Sequence, residues 1–157
     1  MAHIPCNDTR ALGDISFRTA LKTALQPSDN YDTAKWLFIP HTYTEYRYIL
    51  GTRGAKPLIC IGVNPSTAVP DHLDPTLKSV QRIAINNGYD SFIMINVYAQ
   101  RATSPKDMAL NCHSELHRQN LEAFRYALSL SEEPAVWAAW GNIIEMRPYL
   151  KKNACEN

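Results

Sequence analysis

"LICIGVNPSTAVPDHLDPTLKSV", residues 58–80, decides the fold. It opens as a short apolar run, breaks at the polar corner Asn64-Pro65-Ser66, and resumes as a helix at Asp74-Pro75-Thr76. Nearly continuous apolar runs of this length are typical of strands buried on both faces of a parallel sheet. Asp74 suits a helix N-cap and Pro75 the first turn, where a missing N–H costs nothing. Leu77, Val80, Ile83 and Ala84 then share one helical face, and Gly88 marks the stop. With the next apolar run, "SFIMINVYA" (91–99), the stretch makes a βαβ crossover.

Working outward, "PAVWAAW" (134–140) is a third strand, and a long helix over about 114–130 connects it to the second. Right-handed crossovers place the strand at 57–63 in the centre, parallel to its neighbours at 91–97 and 134–140. Upstream, "ISFRTALKTAL" (15–25) reads as a helix and "TEYRYILG" (44–51) as an edge strand. The predicted class is α/β, a three-layer α/β/α sandwich with a mostly parallel open sheet. A single domain over 1–157 is expected, with residues 1–30 peripheral.

Composition narrows the function. Sixteen Lys+Arg against 15 Asp+Glu give a net charge of +1, so no global field draws in nucleic acid or an anionic membrane. Cys6, Cys60, Cys112 and Cys155 are scattered without a CxxC, and the start "MAHIPCNDTRALGD" has no signal-peptide pattern, so the expectation is a cytoplasmic protein without a membrane anchor. "CHSELH" sets His113 and His117 at i and i+4 but offers no evident third ligand, so no metal and no other cofactor is expected. GxxxxGK[ST], GxGxxG and GxSxG are all absent, which disfavours P-loop hydrolysis and dinucleotide redox chemistry.

Open parallel sheets bind ligands beyond the carboxyl ends of their strands. The polar residues at those ends are Asn64, Pro65, Ser66 and Thr67 after the first run, Asn96, Arg101 and Thr103 in and after the second, and Gly141 and Asn142 after the third. Asp74 and Trp140 border the same edge. Each has a plain structural reading beside a ligand reading: Asn64 and Ser66 can satisfy a loop backbone, Asp74 can simply cap a helix, and Trp140 can pack in the core. Asn96 within an apolar strand needs partners for its amide, and Arg101 offers a planar fork for phosphate or carboxylate.

The set "YRYIL", "GVNPSTA", "DPTLKSV", "GYDSFIMINVYAQRATSPKDM" and "AVWAAWGN" resembles the bacterial and phage family known as domain of unknown function 1643, from about Tyr46 to Asn142. A fainter likeness is to the uracil-DNA glycosylase superfamily: a G-x-N-P loop, then a strand ending N-V-x-x-x-R, then a strand ending in glycine. In the mismatch-specific branch the loop reads G-I-N-P-G and its Asn positions the attacking water; the matching residue is Asn64. The resemblance implies a nucleobase, nucleotide or nucleic-acid ligand and an N-glycosidic hydrolase, with a non-catalytic module for a modified base or nucleotide as the alternative. Departures are plain. Ser66 replaces the loop glycine, cysteines for an iron–sulfur cluster are missing, and the 16 residues after Gly141 carry no His-Pro motif, so little base excision from DNA is expected.

Overall fold

The computed structural model describes residues 1–6 and 8–156. The three apolar runs form β3 (Pro57–Gly62), β4 (Ser91–Asn96) and β5 (Ala135–Ala138), all parallel, with β3 between the other two. Cys60 stands opposite Met94 on one side and Trp137 on the other. The crossover helix is α2 (Pro75–Asn86), and α3 spans Ser114–Ser129. Asp74 caps α2 by accepting a hydrogen bond from the Leu77 N–H at 2.9 Å.

The rest of the sheet corrects the sequence reading. β1 (Trp36–Ile39) forms the outer edge, and β2 (Ile49–Thr52) lies inside it, antiparallel to both β1 and β4. The sheet is therefore mixed, in the order β1-β2-β4-β3-β5, rather than mostly parallel. β2 is no edge strand because the wholly buried run Trp36-Leu37-Phe38-Ile39 takes the edge and screens it.

Side-chain alternation builds a core on each face, since successive residues of a strand point to opposite sides. Leu37, Ile49, Ile59, Ile61, Ile93 and Ile95 pack with α1 (Phe17–Ala24), α3 and α4 (Pro148–Glu156). Leu58, Cys60, Phe92 and Met94 pack with Leu77, Val80 and Ala84 of α2. Two helical layers thus enclose the sheet. The N-terminal thirty residues are not all peripheral: Phe17 and Ala24 are buried, and the Tyr46 and Tyr48 hydroxyls donate to the carbonyls of Asp14 and Ile15. Among the described residues, no helix is long and apolar enough to cross a membrane.

Candidate functional site

On the α2 face, the sheet leaves a cavity of about 580 Å³ between the carboxyl ends of β3, β4 and β5 and the first turn of α2. That volume lies within the range of small-ligand sites. Its wall includes Gly62, Asn64, Asn96, Asp74, Arg47 and Trp137. The cavity exists because β3 ends in residues too small or too polar to complete the apolar layer that Leu58 and Cys60 begin.

Asn96 is the most telling group. It is the last residue of β4, 0 % exposed, and neither Nδ2 nor Oδ1 has a hydrogen-bond partner. Its backbone carbonyl is satisfied by Asn120 Nδ2 at 2.7 Å, so the side chain alone remains unmatched. A buried amide without partners carries a desolvation cost of about 1–3 kcal/mol, which a ligand presenting one donor and one acceptor would offset. Opposite it, Gly62 keeps the space open: a Cβ there would lie 2.8 Å from Asn96 Oδ1 and 2.5 Å from Met94 Cε.

Arg47 contributes a second unusual group, which the sequence reading passed over as part of an alternating strand. It is 1 % exposed, donates through Nη1 to the Ala68 carbonyl at 3.1 Å, and leaves Nε without a partner. Burial, reinforced by the nearby Arg101 charge, pulls its guanidinium down to about 9. Arg101 is 0 % exposed and does not reach the cavity wall. Its guanidinium lies 4.1 Å from the centre of the Tyr43 ring and donates to the carbonyls of Ser66 and Ala68, behind the corner. Burial lowers it to about 10.

The corner itself is tied down from within. Asn64 lines the cavity, but its Nδ2 donates to the carbonyls of Ala102 at 2.9 Å, Pro65 at 3.1 Å and Gln100 at 3.5 Å. Its amide nitrogen therefore fastens the loop after β3 to the loop after β4. Pro65 is buried outside the wall, and its carbonyl also accepts from the Ala102 N–H. Ser66 and Thr103 are both in the wall and joined by their hydroxyls at 3.0 Å; Thr103 also accepts from the His3 N–H.

Asp74 and Trp140 reach the wall as well, whereas Thr67, Gly141 and Asn142 do not. Gly141 has φ +53, a left-handed turn after β5, and its flank is open space. Trp137, Thr76 and Ser79 also stand in the wall, and none of them follows from the strand-end rule. Strand alternation is the signal for Trp137, since positions 135, 137 and 139 share the α2 side. His113 caps α3 by accepting from the Leu116 N–H, and His117 meets Glu156 at 2.7 Å, so neither histidine faces this cavity.

The ensemble offers a free amide, a buried guanidinium, one carboxylate, several hydroxyls and two indole rings. These polar groups are set in a wall that also carries Cys60, Val63, Leu77, Val80 and Met94, an arrangement suited to a molecule with both an apolar face and a polar edge. The fold and cavity together define an open α/β sandwich with a ligand-sized site at its strand ends. Residues 47–156 match the family described as "Protein of unknown function (DUF1643)", and the chain belongs to that family. The matched region contains every wall residue, beginning with Arg47 itself. No curated protein and no solved structure matches the chain.

Proposed function

We propose that the protein binds a nucleobase or nucleotide in the strand-end cavity. The observation that carries this reading is Asn96, whose free donor and acceptor complement the amide-like edge that nucleobases present. Trp137 and Trp140 supply aromatic surface at the same wall, and stacking on such rings favours planar ligands. The chemistry that fits is hydrolysis of an N-glycosidic bond, in line with the likeness to uracil-DNA glycosylases. In that scheme Asn64 orients the attacking water through Oδ1, and the wall donors receive charge on the departing base.

A non-catalytic binding module is the second reading, and two observations favour it. The Asn64 amide nitrogen is committed to three carbonyls, and Asp74, the one carboxylate of the wall, is engaged as a helix cap. Calorimetry against free bases, nucleosides and nucleotides tests the binding reading, with one base class expected to bind and Asn96→Ala expected to abolish it. Absence of binding across the panel would refute it. Chromatography of the bound nucleosides and nucleotides then separates the two readings, because only a hydrolase releases free base.

A further inference from the structure

Arg47 and Arg101 are two fully buried guanidiniums that donate to one shared acceptor, the Ala68 carbonyl. Among the described residues, no carboxylate forms an ion pair with either. Buried charges are ordinarily paired, since an unpaired one forfeits its hydration without return. The charge of Asp74 favours the protonated form of both arginines and that of Glu45 the protonated form of Arg101, yet neither carboxylate pairs with them. Arg47 alone of the two lines the cavity, and its Nε is unpartnered.

The first turn of α2 enters the same part of the wall. Pro75 has no N–H, Asp74 holds the Leu77 N–H, and the Thr76 N–H has no intrahelical acceptor. A helix start favours negative charge, part of which the Asp74 carboxylate already supplies. Here it is joined by a buried, incompletely bonded guanidinium in the same wall.

We infer that Arg47, with the start of α2, receives a terminal phosphate, so that the ligand is a nucleoside monophosphate rather than a nucleoside or a nucleic-acid strand. This rests on the cavity being the ligand site proposed above. Arg47 is 1 % exposed at the back of the wall, so a single terminal phosphate reaches it with less displacement than a phosphodiester carrying a nucleotide on each side. The net charge of +1 gives no global field for a polyanion. Asn96 then holds the base and Arg47 the phosphate, at two places on one wall.

Calorimetry on the full chain decides this with 5′-mononucleotides, the matching nucleosides, ribose 5-phosphate and a short single-stranded oligonucleotide. One mononucleotide is expected to bind about ten- to a hundredfold more tightly than its nucleoside, the factor for a charge-assisted contact. Arg47→Gln should reduce nucleotide affinity to the nucleoside level, and Arg47→Lys, which keeps the charge and loses the fork, should retain part of the preference. Because loss of a buried side chain can unfold the chain, the nucleotide-to-nucleoside ratio on the unaltered protein is the primary test. Equal affinities would overturn the phosphate assignment and leave the base reading standing. Ribose 5-phosphate binding as tightly as the nucleotide would support Arg47 and refute the base reading. Tighter binding of the oligonucleotide would overturn the choice of a free nucleotide.

Discussion

Gly62 and Asn96 stand opposite each other in the register of β3 and β4, and Asn96 Oδ1 borders the space that a side chain at position 62 would occupy. The glycine is needed for closeness, not for unusual backbone geometry. Gly62→Ala should displace Asn96 and the tip of Met94, costing about 1–3 kcal/mol by overpacking and weakening ligand binding as well. Thermal denaturation and calorimetry check both. Unchanged stability with unchanged binding would show that the amide has freedom to move.

The apolar runs at 57–63, 91–97 and 134–140 were legible because burial on both faces leaves few polar residues. β1 escaped notice because it has four residues and stops at Ile39, just before Pro40, so neither length nor alternation marks it. Once β1 is present, β2 becomes interior, and the sheet turns from mostly parallel to mixed. In the cavity, the strand-end rule located Asn64, Ser66 and Asn96. It could not locate Arg47, which precedes the antiparallel β2 in sequence rather than following a parallel strand, and which reads like the solvent-facing arginine of an edge. Only its burial separates the two cases.

Asn64 ties two loops together, so its removal should be felt as stability. Asn64→Ala forfeits donation to the Pro65, Gln100 and Ala102 carbonyls and should cost about 1–3 kcal/mol. Asn64→Asp should cost more, because it sets a carboxylate against the same carbonyls. Urea denaturation of the two variants gives the comparison. Were Asp as stable as the native residue, the three hydrogen bonds would have no structural weight.

Buried phenols set the response to alkali. Burial pushes Tyr46 and Tyr98 from 10.0 up to about 12, and it raises Tyr48 and Tyr149 as well. Between those values the unfolded chain releases protons that the folded chain retains, so unfolding is favoured as pH rises. The stability that these groups contribute is complete below pH 10 and is lost as pH climbs through about 12. A denaturation midpoint that falls across this window is the expected result. A phenolate absorbance titration in which every tyrosine of the folded protein ionises near 10 would contradict it.

Asn96 separates function from architecture most sharply. If its unmatched Nδ2 and Oδ1 serve only a ligand, the empty protein bears their desolvation cost without return. An apolar residue of similar reach should then fit better, because it has no polar atoms to strand and the cavity has room on that side. Asn96→Leu is therefore expected to stabilise the chain by about 1–2 kcal/mol while abolishing nucleotide binding, the trade that binding sites commonly show. The denaturation midpoint and a calorimetric titration measure the two halves independently. Destabilisation by Leu, with binding lost, would mean that the amide supports the fold through contacts of its own, and Asn96 would no longer point to a ligand.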